Sequence, residues 1–162
     1  MKKLILIASL LLTSNSWAED LPPLNADDIA STEYVSNRCW ALTRTISWFA
    51  AEKEFKEKEI VDPGEIKKRE KYWMSILFHA VTENHGYELY SEGAMEHVKN
   101  THYIYLDAYK DSANEYIEKT GSMLSELVTA DGKFCGEISW YKEKDPISYT
   151  AYMYSYYKYQ MR

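Results

Sequence analysis

Residues 35–49, VSNRCWALTRTISWF, decide the fold class of this chain. Their apolar side chains recur at spacings of four, three, four and three residues, at Val35, Cys39, Leu42, Ile46 and Phe49. That period is typical of one face of an α-helix. We therefore predict a first helix that begins at Ala26 or Thr32, ends near Lys58, and turns Cys39 toward a core.

Helix start and stop signals divide the chain that follows. In Asp62-Pro63-Gly64-Glu65, an N-cap residue precedes a proline at the first helical position, which predicts the start of a second helix. Gly86 is placed to end it, and Ser91 and Glu92 open a third helix whose apolar spacing continues to Leu127. Gly121 interrupts this third pattern and is expected to break or bend it.

The remaining segments predict a turn and two further helices. Asp131-Gly132 is a turn signal, and residues 133–144 form a short helical pattern that carries Cys135. Asp145-Pro146 then opens a helix over residues 147–159, a segment whose alternation is also typical of a strand but has no second strand to pair with. The sequence thus predicts an all-α fold, a single-domain bundle of four to five mostly antiparallel helices over residues 19–162.

The first eighteen residues have the pattern of a secretory signal peptide. Lys2 and Lys3 precede the apolar run LILIASLLL, and Ser16-Trp17-Ala18 places small residues at a cleavage site after Ala18. The apolar run is too short to span a bilayer, so no membrane span is expected after cleavage. We expect a periplasmic or secreted protein.

Cys39 and Cys135 are the two cysteines of the chain. In an exported protein an even count predicts a disulfide, and two cysteines allow one intramolecular pairing. A redox pair or a metal site is the alternative, but redox cysteines usually lie close together in the sequence. The bond is interpreted as structural.

The net charge of the chain favours some classes of binding partner over others. Loss of Lys2 and Lys3 with the signal peptide takes the formal net charge from −6 to −8. An acidic domain repels nucleic acid and anionic membrane surfaces, so a partner selected by charge is a basic exported protein. The alternative is that the net charge serves only to keep a small exported protein in solution. The run EKEFKEKE at residues 52–59 is interpreted as a solvated helix surface with charge pairs four residues apart.

Side chains able to bind a metal occur in the second and third helices: His79, His85, Glu92, Glu96, His97 and His102. None forms a pair of His-x-x-x-His or Glu-x-x-His type, which would place two ligands on one helix face. We interpret His102 as half-buried and the others as surface residues, and we expect no metal and no cofactor. Because no nucleophile elbow or zinc-protease motif occurs either, no catalytic residue is assigned and the chain is not expected to be an enzyme.

Tyrosine is the best functional signal in the sequence. The chain has 15 tyrosines, and six lie in the last fourteen residues, too many for one helix face to bury. Tyrosine is enriched at binding surfaces, although the tail could equally pack across a wide groove. We predict Tyr154, Tyr157 and Tyr159 as binding residues, with Glu143 and Asp145 supplying charge.

The resulting hypothesis is a periplasmic protein-binding module that inhibits a basic exported protein, in the manner of an immunity protein. Two alternatives stay open. The first is a small helical metal-binding protein or enzyme that uses the histidines and glutamates named above. The second is a chaperone-like envelope-stress protein that binds unfolded clients.

Overall fold

The computed structural model of the protein describes residues 21–139, and these form an all-α bundle. A 3₁₀ segment, Ala26–Ala30, precedes helix α1, Thr32–Glu52, and a 3₁₀ turn, Lys58–Ile60, leads to helix α2, Pro63–His85. Helix α3 covers Glu92–Thr120 and helix α4 covers Glu126–Ser139. Residues 21–139 contain no strand, which confirms the predicted all-α class. The signal segment and the helix predicted over residues 147–159 lie outside the described residues.

Helix α1 is the central element, because each of the other three helices packs against it. Helix α2 runs antiparallel to α1, so that Glu33 meets His85 at one end and Arg44 lies 3.6 Å from Glu70 further along. Helix α4 runs antiparallel to α3, and the Ser112 and Ser125 hydroxyl oxygens are 2.8 Å apart. No helix in residues 21–139 is long and apolar enough to cross a membrane.

Most of the predicted helix ends are correct. The Asp62 carboxylate accepts hydrogen bonds from the Gly64 and Glu65 amides, and the Ser91 hydroxyl accepts one from Ala94. Gly86 and Gly121 close α2 and α3 in the left-handed conformation, with φ of 69° and 74°. Gly121 therefore ends α3, which agrees with the expected break in the helical pattern at this glycine, and the apolar residues up to Leu127 belong to the connection and to α4.

The predicted extension of the first helix to Lys58 is wrong. Helix α1 ends at Glu52, and the chain then turns Phe55 into the core. The Lys56 amide donates to the Gly121 carbonyl at 2.8 Å, and the Glu57 carboxylate accepts hydrogen bonds from Ser122 and Met123. Burial of the phenyl ring and these contacts with the α3–α4 connection outweigh the helix-stabilising charge pattern.

The predicted turn at Asp131-Gly132 is also wrong, because both residues lie inside α4. The Asp131 side chain is fully buried and forms an ion pair with Arg38 of α1. Burial of this pair holds the segment in a helix despite its turn-forming sequence. The same element starts at Glu126, earlier than the predicted Lys133.

A buried polar network surrounds this ion pair, and we call it the Arg38 network. It comprises the side chains of Arg38, Asp131, Tyr109 and Tyr34 and the backbone at Pro22 and Leu24. The network connects the amino-terminal segment to α1, α3 and α4. Its carboxylate, its guanidinium and its two phenols are all hydrogen-bonded, as buried polar groups generally are.

The predicted disulfide between Cys39 and Cys135 is confirmed. The two Cα atoms are 5.6 Å apart, and both residues are buried. The bond lies beside the Arg38–Asp131 pair, so α1 and α4 are joined by two adjacent cross-links. Closure of a loop between residues 96 positions apart stabilises the fold by about 4–5 kcal/mol in the chain-entropy model.

Candidate metal centre

Three helix termini meet at one end of the bundle and bring together a carboxylate and two imidazoles. Glu33 lies in the first turn of α1, just after the N-cap Ser31. His85 is the last residue of α2, and His97 lies in the second turn of α3. Because α2 runs antiparallel to α1 and connects directly to α3, the topology places all three side chains at the same end.

The donor atoms of these side chains converge, and we call the group the Glu33 centre. His97 Nε2 lies 2.7 Å from Glu33 Oε1, and His85 Nε2 lies 3.0 Å from Glu33 Oε2. One ligand atom from each residue lies within 4.8 Å of the others. Within residues 21–139 this is the one group of three potential ligands that meets this distance.

The Glu33 carboxylate is held in its ionised form. Burial alone would raise its pKa, but hydrogen bonds from Asn84, His97 and His85 outweigh burial and lower the pKa below its usual value. The Asn84 amide donates to Glu33 Oε2 at 2.9 Å, which orients the carboxylate between the two imidazoles. An ionised carboxylate is the state that binds a metal.

The centre is accessible from solvent. The side chains of Glu33, His97 and His85 are 17%, 24% and 39% exposed, so accessibility increases toward His85. An ion from solution could therefore reach all three donors without unfolding of the bundle.

The connection between α2 and α3 fixes the surroundings of the histidines. Gly86 is left-handed, and the Tyr87 ring lies 6.0 Å from the His85 ring and 6.1 Å from the His97 ring. Tyr90 also has a positive φ, of 59°, which is unusual for a bulky residue, and its ring packs on Phe78. This anchored loop sets the position of Tyr87 beside the two imidazoles.

The donor set fits a divalent ion of the zinc type. Metal–nitrogen and metal–oxygen bonds of about 2.0–2.2 Å in a tetrahedral site put neighbouring donor atoms about 3.3 Å apart. The distance from His97 Nε2 to Glu33 Oε1 is 2.7 Å and the distance from His85 Nε2 to Glu33 Oε2 is 3.0 Å. Both are hydrogen-bond distances shorter than a ligand–ligand separation, so the side chains would have to move apart to admit an ion between them. In the metal-bound state each imidazole would be neutral and carry its proton on Nδ1, so that Nε2 would present its lone pair to the metal, and any excess proton would pass to solvent.

The structure separates the histidine and glutamate candidates found in the sequence. His85 and His97 join the centre, whereas His79, Glu92, Glu96 and His102 do not. His102, which was expected to be half-buried, is a core residue. It stacks on Trp40 with ring centroids 3.8 Å apart and contacts the Asn37 side-chain oxygen through Nδ1. Burial, with a smaller effect of Arg44, lowers its pKa to about 3, so this imidazole is neutral.

Sequence reasoning missed Glu33. A glutamate in the first turn of a helix is explained by the helix dipole, so it does not by itself indicate a ligand. The antiparallel order of the helices was the usable signal, because it places the start of α1 beside the end of α2.

The predicted binding residues of the tail lie outside the described residues: Tyr154, Tyr157, Tyr159, Glu143 and Asp145. Their role in binding a basic protein stays a prediction.

No family model, no curated protein and no solved structure matches this chain. The functional argument therefore rests on the geometry of the Glu33 centre.

Proposed function

We propose that this is a small exported helical protein that binds a divalent transition-metal ion at the Glu33 centre. The observation that carries the proposal is the convergence of three potential ligand atoms, from three different helices, within 4.8 Å. The lowered pKa of Glu33 supports it, because the carboxylate is already ionised. The Cys39–Cys135 disulfide is compatible with the oxidising compartment to which the signal segment points.

The donor types favour a transition-metal ion over magnesium or calcium. Two imidazole nitrogens and one carboxylate oxygen suit Zn²⁺, Cu²⁺, Ni²⁺ and Fe²⁺, whereas Mg²⁺ and Ca²⁺ prefer sites made of oxygen alone. Two histidines and a glutamate form a recurrent three-residue ligand set for zinc. We therefore expect Zn²⁺ to bind and Mg²⁺ to leave the centre unchanged.

A purely structural role for the same side chains makes a different prediction. Glu33 would then serve only to hold the ends of α2 and α3 against α1 through hydrogen bonds, and zinc would bind no better than to any exposed histidine. Binding stoichiometry and its dependence on Glu33 distinguish the two roles.

Equilibrium titration of the purified, metal-free protein with Zn²⁺ is the test. We expect one tight equivalent, and we expect Glu33→Gln and His97→Gln each to weaken it at least a hundredfold, because each removes a ligand. Glu96→Gln and His79→Gln are matched controls, since they make the same changes at residues outside the centre. Equal zinc affinity in the wild type and the two ligand variants would overturn the proposal.

A further inference from the structure

We infer that the metal-loaded Glu33 centre takes an exogenous imidazole, the side chain of a histidine from another molecule, as a further ligand beside Tyr87. This inference rests on the proposed function, since it needs the ion to be bound. It concerns the coordination position that the protein's own ligands leave open.

The protein supplies fewer ligands than the ion needs, which leaves one coordination position open. The described part of the chain supplies three converging donors, and a zinc-type ion takes at least four. The side chain of His85 is 39% exposed, the largest exposed fraction among the three ligands, so solvent reaches the centre most readily beside this residue. An external donor can approach there without displacing a helix.

Tyr87 forms one wall of this open side. Its ring lies beside both imidazoles, and the residue is 37% exposed. The space that it occupies depends on Gly93 of α3, where an added Cβ would lie only 3.0 Å from the tyrosine ring. The absence of a side chain at residue 93 thus lets the ring lie close against the start of α3.

These features favour an imidazole over other donors. One carboxylate and two neutral imidazoles leave a divalent ion with a net charge of +1, which accepts neutral as well as anionic donors. Ions that suit the two histidines readily take a further imidazole nitrogen as a ligand. A planar imidazole ring would in addition pack against the exposed part of the Tyr87 ring, whereas acetate and water cannot form this aromatic contact.

Visible absorption of the Co²⁺-loaded protein reports two steps separately: the binding of Co²⁺ to the centre and the binding of imidazole to the Co²⁺. Co²⁺ substitutes for zinc, and its absorption changes with the ligands that surround it. We expect one Co²⁺ equivalent to give a spectrum, and imidazole to change that spectrum saturably at concentrations where acetate has little effect.

Two tyrosine variants test whether the Tyr87 ring contributes to imidazole binding. At saturating Co²⁺, Tyr87→Ala is expected to weaken imidazole binding by about three- to tenfold, the range typical of one aromatic contact. Tyr116→Ala is the matched control, because this tyrosine is equally exposed, at 37%, and lies about 28 Å further along α3 from His97. It should bind imidazole like the wild type.

The outcomes separate the two proposals. Absence of any Co²⁺ spectrum would overturn the proposed function and this inference with it. A Co²⁺ spectrum that does not respond to imidazole would overturn this inference alone. An equal response to imidazole and acetate, unaffected by Tyr87→Ala, would show an open position without preference for a histidine and would also overturn it.

Discussion

Two carboxylates of this protein, Asp131 and Glu33, each accept hydrogen bonds from other elements of the fold, yet their surroundings differ. Asp131 is fully buried and accepts from the Leu24 amide, Arg38 and Tyr109. Glu33 lies at the end of the bundle and accepts from two imidazoles and an amide. The donors to Asp131 are a backbone amide, a guanidinium and a buried phenol whose raised pKa keeps it protonated, whereas two of the donors to Glu33 are imidazoles, which are common metal ligands. The identity and exposure of the donors therefore distinguish a structural carboxylate from a candidate ligand.

Two groups of the Arg38 network, Arg38 and Tyr109, have raised pKa values. Burial favours loss of the Arg38 charge, but Tyr109 and Asp131 outweigh this and raise its pKa. Burial, followed by the neighbouring Asp131, raises the pKa of Tyr109 well above its usual value. Both groups keep their protons, so the network acts as a permanent cross-link.

Asp131→Asn should have the largest effect on stability. It removes one partner of a buried ion pair and leaves the Arg38 charge uncompensated, which typically costs about 3–5 kcal/mol. Urea unfolding with the disulfide intact measures the loss. Asp111→Asn makes the same change at an exposed position of α3 and should alter the free energy of unfolding by less than about 0.5 kcal/mol. Similar losses in the two variants would contradict a special role for Asp131.

Tyr109→Phe should break the same network less severely. It removes the hydroxyl that donates to Asp131 and accepts from Arg38 while keeping the buried ring. We expect a loss of about 1.5–3 kcal/mol, the range for hydrogen bonds to charged groups. Tyr103→Phe, at an exposed tyrosine of α3, is the control and should unfold like the wild type. A loss below about 0.5 kcal/mol for Tyr109→Phe would mean that the phenol is not needed to satisfy the pair.

Asn84→Ala should affect the Glu33 centre through the orientation of its carboxylate. Partners that hydrogen-bond a metal ligand usually change affinity by about 10–100-fold when removed, and we expect about tenfold for Zn²⁺ here. Competition with a chromophoric chelator measures the change. Asn100→Ala, at an exposed asparagine of α3, is a suitable control. Unchanged zinc affinity in Asn84→Ala would show that the amide does not position Glu33.

The smallest expected effect concerns the metal-free protein and pH. The pKa of Glu33 is lower in the folded protein than its ordinary value near 4.5, so its stabilising contribution is present above that pH. That contribution is lost as the pH falls through the pKa that Glu33 has in the folded protein. Glu33→Gln should therefore be less stable than the wild type by about 1 kcal/mol at pH 7, and the difference should shrink below pH 4.5. Thermal unfolding at both pH values measures it, and a difference that grows in acid would contradict the direction of the shift.

Local chemistry explains which features the sequence could predict. Asp62, Ser91, Gly86 and Gly121 satisfy backbone groups within a few residues, so their positions as helix ends can be recognised without the fold. The Cys39–Cys135 pairing was predictable because two cysteines allow one intramolecular bond.

Long-range burial explains what the sequence could not predict. Asp131 precedes a glycine and has the pattern of a turn until Arg38, 93 residues away in the chain, is placed beside it. Phe55 lies in a run of charges, and only its contacts in the core show why α1 ends before it. Glu33 is an ordinary helix-start residue until α2 and α3 bring two histidines to it.

An anomalous difference map from crystals grown with Zn²⁺ compares the two carboxylates most directly. We predict one strong peak about 2.0–2.2 Å from a Glu33 carboxylate oxygen and from Nε2 of His85 and His97, with no density at Asp131. A map in which zinc is absent from these three atoms, or is bound only at other side chains, would contradict the assignment of Glu33 as a metal ligand.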